Sequence, residues 1–199
     1  MTVGVTGPFA SGKSTFLRIL GELGAETVSA DEIVHDLLAE DEETVTRVVE
    51  RFGRDVLKER GVDRRALGRK VFGDPEALQD LEEILHPLVR RETRRRVAAS
   101  GADLFVAEVP LLFEGGTEGD YDYTVAVTVP EERRRAWAAE RGVDEAALRA
   151  IEARQLPQEE KARRADVVVQ NDGGVDKLRE QAEELEKRSQ NGSVLEQEE

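Results

Sequence analysis

One segment near the start limits the folds open to this chain more than any other. Gly7-Pro8-Phe9-Ala10-Ser11-Gly12-Lys13-Ser14 fits the spacing G-x-x-x-x-G-K-[ST]. A β-branched run, Thr2 to Thr6, precedes it; Phe16, Leu17, Leu20 and Leu23 follow at helical spacing, with Gly24 as a C-cap. Successive N–H groups of such a loop point into a concavity, and the helix N-terminus adds the positive end of its dipole. This is a cradle for the phosphates of a nucleoside triphosphate. Its candidate binding residues are Ala10, Ser11, Gly12, Lys13, Ser14 and Thr15. Lys13 reaches the β- and γ-phosphates as a point charge, and Ser14 offers a hydroxyl ligand to Mg²⁺. The motif does not say which reaction follows.

The rest of the chain supplies the sheet that such a loop needs. Glu26 to Ser29, Leu104 to Val109, Tyr123 to Val129 and Asp166 to Gln170 read as further short strands, separated by helical stretches. Five apolar strands alternating with helices predict a parallel sheet with helices on both faces. The interval from about 42 to 100 carries no strand signal. Asp63 caps a helix from Arg64 to Phe72, Asp74-Pro75 starts another, and Pro87 is expected to break that one and begin the next, to about Ala99. Between the last two strands lie helices rich in Arg and Glu, one capped by Asp144. The final helix runs from Val175 to about Lys187, and Ser189 to Glu199 has no period and is expected to fray.

Composition removes several function classes. The 199 residues carry a net charge of −14, which argues against a duplex reader, for which a basic face is needed. There is no Cys, hence no disulfide scaffold and no thiol nucleophile, and the two His residues are too few for a His-rich metal site. No apolar run approaches the roughly 20 residues that cross a bilayer. The opening M-T-V-G-V-T-G does not read as a signal peptide, so the expected compartment is the cytoplasm.

In an open parallel sheet, ligands sit beyond the carboxyl ends of the strands. The second strand ends at Ser29-Ala30-Asp31, and the third at Glu108 and Pro110-Leu111-Leu112-Phe113-Glu114. Two readings are open for Asp31. It can orient an acceptor hydroxyl and take its proton, or it can cap the helix that follows. Glu108 is either a partner of a metal site or an ordinary salt-bridged acid.

With these segments in place the chain resembles the dephospho-coenzyme A kinase family from Thr2 to about Leu185. The resemblance rests on G-P-F-A-S-G-K-S-T, on S-A-D-E-I from Ser29, on I-L-H-P-L-V-R from Ile84, on V-P-L-L-F-E from Val109, and on Q-L-P-Q-E-E-K followed by A-D-V-V-V-Q-N-D-G. It implies an α/β P-loop nucleoside triphosphate hydrolase-like fold with a helical substrate-binding insert and a helical lid. The domain division then has a core at about 1–41, 101–130 and 165–188, the insert at about 42–100, the lid at about 131–164 and a frayed tail at about 189–199. The implied activity is transfer of the γ-phosphoryl of ATP, with Mg²⁺, to the ribose 3′-hydroxyl of dephospho-CoA. Asp31, Lys13 and Arg141 take the catalytic roles, and His86, Arg90, Pro110 and Leu111 contact the substrate. No nucleic-acid or membrane partner is implied, and the expected state is a monomer or a weak homo-oligomer.

The chain departs from the family pattern at Ser29, where an Asp is usual, at Pro8-Phe9, where Gly-Ile is usual, and at Trp137, where Arg is frequent. For Arg141 an exposed pair with Glu140 or Asp144 competes with the lid role. His86 can equally be a helix-end residue. Arg94-Arg95-Arg96 reads as a solvated face and His35 as structural. Arg154 and Gln155 are further candidates for lining the cleft. A kinase for another small alcohol or a nucleoside monophosphate shares the motifs up to Asp31, and an acceptor-free nucleotide switch shares the phosphate loop.

Overall fold

The β-branched runs pair side by side. The computed structural model describes residues 1–190. Its strands are β1 (Thr2–Thr6), β2 (Glu26–Ser29), β3 (Phe105–Glu108), β4 (Tyr123–Thr128) and β5 (Val167–Gln170), in the sheet order β2-β3-β1-β4-β5. β1 is parallel to β3 and to β4, and β4 to β5, with Val3 opposite Val106, Val5 opposite Val125 and Val127 opposite Val169. The helices are α1 (Lys13–Glu22), α2 (Ala30–Glu40), α3 (Glu42–Phe52), α4 (Arg64–Val71), α5 (Pro75–Ala99), α6 (Glu131–Glu140), α7 (Glu145–Glu152), α8 (Gln158–Arg164) and α9 (Val175–Gln190). The expected fraying falls on Ser189 and Gln190, which α9 includes, and on residues 191–199, which lie outside the described residues. Among the described residues no helix is long and apolar enough to cross a membrane.

The chain divides into two compact units, Met1–Val28 with Ser100 onward, and Ser29–Ala99. In the first, the period-2 alternation of the strands sorts the sheet into two faces. Val3, Val5, Val106, Val125, Val127 and Val169 bury one face against Phe16, Ile19 and Leu20 of α1 and Leu178, Ala182 and Leu185 of α9. Gly4 and Thr6 point the other way, where Tyr121 lies against Gly4 and Lys161 of α8 meets Thr6. Two side-chain clamps fix the starts of the strands. Asp122 accepts from Thr2 N at 2.7 Å, and Asp166 accepts from Thr124 N at 2.7 Å. Each acid also accepts from the same threonine's hydroxyl. In α6, Arg134 is buried between Glu131 and Glu152 of α7, which joins the two helices; Asp144 caps α7 by accepting from Ala147 N.

The Ser29–Ala99 unit is helical and has its own core of Leu38, Val48, Phe52, Val56, Val62, Leu67 and Leu85. Asp41, Asp63 and Asp74 accept first-turn N–H bonds, so the caps at Asp63 and Asp74 stand as the sequence predicts. The break expected at Pro87 does not occur: α5 runs through it. Proline inside a helix loses one backbone hydrogen bond and costs about 3 kcal/mol or more. Buried Leu85 and Leu88 flank the proline, which itself faces solvent, so the apolar stripe continues across the defect and packing outweighs it.

In Arg94-Arg95-Arg96 the first two residues are exposed, as expected of a solvated face, and Arg96 is half-buried. Arg95 and Arg96 both bond Glu92, and Arg96 also reaches Asp36 at 2.7 Å, tying α5 to α2. The Arg95 guanidinium, aided by that of Arg96, holds the Glu92 carboxyl at about 2, against burial that would raise it from 4.5. A carboxylate with a depressed native pKa contributes stability above its unfolded value and loses it as the pH falls through the native one. Glu92→Gln should therefore lower the thermal midpoint at neutral pH. The difference should shrink as the pH falls below about 4.5 and vanish only below about pH 2, as read by circular-dichroism melts. A difference that is independent of pH would assign the effect to packing instead.

Candidate active site

The phosphate loop has no room for side chains at its two glycines. Gly7 has φ +149°, and a Cβ there would lie 2.5 Å from the Val127 carbonyl oxygen; Gly12 has φ +93°, and a Cβ there would lie 2.1 Å from Asn171 Nδ2. That same Asn171 amide donates to the Ser11 carbonyl at 2.9 Å, and the Asn171 backbone N–H donates to the Thr128 carbonyl, so the end of β5 buttresses the loop. Ala10 takes φ +60° without being glycine. Gly12, at the N-cap of α1, provides no capping side chain, and the first turn holds no acid. Its N–H groups and the helix dipole are left to face an anion.

Lys13 is buried, and its ammonium group donates to the carbonyls of Gly7 and Pro8 at 3.2 and 3.0 Å. Glu108, at the end of β3, lies 3.9 Å from Lys13 Nζ and accepts from Ser14 Oγ at 3.2 Å. Of the two readings left open for Glu108, the salt bridge is observed, and it also delivers a carboxylate to the serine. Ser14 Oγ and the Glu108 carboxylate are hard oxygen donors side by side, a pair suited to Mg²⁺, for which one or two protein oxygens and several phosphate and water oxygens are the usual set. Among the described residues no group of three or more Asp, Glu or His side chains is placed to hold a metal.

The helices between β4 and β5 reach this loop. Ala10, Ala138 and Leu148 form a buried cluster joined by Phe9, Trp137 and Val143, so Trp137 is a packing residue. The Arg141 guanidinium lies over the Phe9 ring at 5.7 Å, the range of a cation–π contact, rather than on Glu140 or Asp144. Phe9 N–H donates to Gln155 Oε1 at 3.2 Å. The unusual Phe9 thus provides the surface on which Arg141 rests.

Beyond β3 the chain turns through Pro110 and Leu111, and buried Leu112 and Phe113 anchor the turn. Two residues here escaped the reading of the sequence as site residues. Lys161 is wholly buried and pairs with Glu114 at 2.8 Å; Glu114 also accepts from Leu156 N–H at 2.7 Å. Burial pulls the Lys161 pKa below the ordinary lysine value, and Glu114 pulls it back in part. Their only signal was membership of the strings V-P-L-L-F-E and Q-L-P-Q-E-E-K. A lysine among glutamates reads as surface until the fold covers it.

In the Ser29–Ala99 unit, the capping question at Asp31 is decided. Ser29 Oγ accepts from Glu32 N–H at 3.1 Å and Glu32 Oε2 accepts from Ser29 N–H at 3.0 Å, a reciprocal capping box. Ser29, the departure from the family pattern, therefore does the capping, and Asp31 is an exposed acid in the first turn of α2. His86 and Arg90 are exposed one turn apart on α5. Arg64 lies 3.1 Å from His35 Nδ1, so that histidine joins α2 to α4.

A methyl group at position 12 tests the cradle. Gly12→Ala must displace the Asn171 amide and hold an L-residue at φ +93°, so ATP affinity should fall by about tenfold or more, the scale of one strained residue. Isothermal titration with ATP·Mg²⁺ measures it, and an unchanged Kd would mean that the loop relaxes freely.

Comparison with known proteins agrees with this geometry. A family model described as dephospho-CoA kinase matches residues 1–177. The dephospho-CoA kinase of Carboxydothermus hydrogenoformans is 42% identical over 185 residues, covering 90% of this chain and 89% of its own. Among solved structures, a Thermus thermophilus protein (TT1252) superposes with a TM-score of 0.79 at 35% identity, covering 94% of this chain and 97% of its own. The dephospho-CoA kinase from Campylobacter jejuni superposes with a TM-score of 0.64 at 25% identity, covering 94% and 96%. With a P-loop α/β sheet, a glycine cradle holding Lys13 and Ser14 beside Glu108, and relatives of this name matched along nearly their whole lengths, the chain belongs to the dephospho-CoA kinase family.

Proposed function

We propose that the chain moves the γ-phosphoryl group of ATP onto the ribose 3′-hydroxyl of dephospho-CoA, with Lys13, Asp31 and Arg141 in the catalytic roles. As a dephospho-CoA kinase it performs the ATP-dependent last step of coenzyme A synthesis. The observation that carries the residue assignment is the buried Lys13 in the curve of the glycine loop, with Ser14 and Glu108 at its side.

The roles follow from charge. Phosphoryl transfer asks the protein mainly for positioning and for neutralisation of charge on the phosphate oxygens. The loop N–H groups at Ala10, Ser11, Gly12, Lys13, Ser14 and Thr15 hold the triphosphate, and the Lys13 ammonium exchanges the backbone carbonyls for phosphate oxygens. Ser14 and Glu108 would hold Mg²⁺, which when bound offsets charge on the β- and γ-oxygens. Arg141, resting on Phe9, is within the same unit as the loop and brings a planar cation to the transferring group. Asp31 takes the proton of the attacking hydroxyl, a role supported by its exposure and by its freedom from capping duty. His86 and Arg90 on α5 and Pro110 and Leu111 after β3 contact the coenzyme substrate.

Lys13→Ala should cut turnover by about 100-fold or more, the scale of one lost transition-state donor. Asp31→Asn should lower kcat far more than it alters ATP affinity. Steady-state kinetics with a separate ATP titration distinguish them; equal falls in kcat and affinity would remove Asp31 from the role of base. Incubation with ATP·Mg²⁺ and a panel of hydroxyl acceptors, read by mass spectrometry, tests the substrate. Dephospho-CoA alone should gain a phosphoryl group, at the 3′ position.

A further inference from the structure

We propose that Lys161 is a positioning residue for the acceptor side of the reaction, its ammonium group fixing the Pro110–Leu111 turn against the strand that feeds the phosphate loop. Lys161 Nζ donates to the Pro110 carbonyl at 2.6 Å and to Thr6 Oγ1 at 3.3 Å, and pairs with Glu114 at 2.8 Å. An ammonium group has three N–H donors, and each has a partner. Thr6 Oγ1 in turn donates to the same Pro110 carbonyl at 3.2 Å. Thr6 immediately precedes Gly7, whose carbonyl accepts from Lys13. Glu114 completes the circuit by accepting from Leu156 N–H at the approach to α8. One buried charge thus joins the last residue of β1, the turn after β3 and the helix that follows α7.

Stability alone does not call for this arrangement. The turn is already anchored by Leu112 and Phe113, which are buried. Replacing a buried ion pair by apolar groups of similar size is often neutral or stabilising. What an apolar side chain cannot do is hold the Pro110 carbonyl at a fixed place beside Thr6. A misplacement of about 1 Å in a substrate-positioning group can cost about 100-fold in rate, so the register of this turn is where the charge pair acts.

The inference rests on the reading that Pro110 and Leu111 meet dephospho-CoA, and the test separates the two. The wild-type chain is first assayed with dephospho-CoA; lack of phosphorylation overturns the functional reading and this inference with it. Lys161→Met with Glu114→Gln then removes both charges and keeps an acceptor for Leu156 N–H. This double variant should fold and bind ATP within about threefold of wild type, while kcat/KM for dephospho-CoA falls about tenfold or more. Thr6→Val, which keeps the ion pair and removes only the hydroxyl bridge, should shift the same parameter in the same direction by a smaller factor. A folded double variant with wild-type kcat/KM for dephospho-CoA overturns the proposal. So does a Thr6→Val chain with unchanged kinetics, or an equal fall in ATP binding and acceptor kinetics.

Discussion

The backbone of the phosphate loop is pressed so closely against its surroundings that a methyl group at either of two positions would have to displace a neighbour. At Gly7 the neighbour is the Val127 carbonyl of β4, and at Gly12 it is the Asn171 amide after β5. This constraint fixes the loop by tertiary contact as well as by its own torsions. With the backbone held there, the first N–H groups of α1 lie at the loop, and Lys13 curls back onto the Gly7 and Pro8 carbonyls. The sheet order, which sets β1 between β3 and β4, serves this end: β3 brings Glu108 on one side, and β4 brings the carbonyl on the other.

Buried charge is the second theme of the first unit. Lys13 and Lys161 are both withdrawn from solvent; two backbone carbonyls and Glu108 compensate the first, and one carbonyl, the Thr6 hydroxyl and Glu114 the second. Desolvating an ammonium group is expensive, and the cost is met only where several acceptors converge. The two lysines differ in what they hold. Lys13 donates to carbonyls of the phosphate loop itself, whereas Lys161 reaches from α8 to Thr6, Pro110 and Glu114 on other elements.

The departures at Phe9 and Ser29 have physical content. Phe9 gives the Arg141 guanidinium an aromatic face, so a side chain unusual in the loop becomes a rest for a cation from the neighbouring helices. Ser29 turns the first acid position of its motif into a capping box with Glu32, which satisfies the start of α2 without engaging Asp31. Each departure is matched by a contact of its own, Phe9 with Arg141 and Ser29 with Glu32.

Local rules made much of the molecule readable. The glycine spacing, the β-branched runs and the aspartate caps act over a few residues, and the strands, the loop and the helix starts follow from them; the family strings likewise carried the kinase assignment. Long-range packing decided the rest. Pro87 lies inside α5 because Leu85 and Leu88 are buried on either side of it, and no local propensity contains that information. Lys161 resembles any surface lysine until β1, the β3 turn and α8 enclose it. The sequence by itself determined which backbone segments can bind phosphate, since torsions and hydrogen-bond donors are local. Tertiary structure alone decided which charges are buried and what each one holds, because burial is a property of the neighbours a side chain acquires.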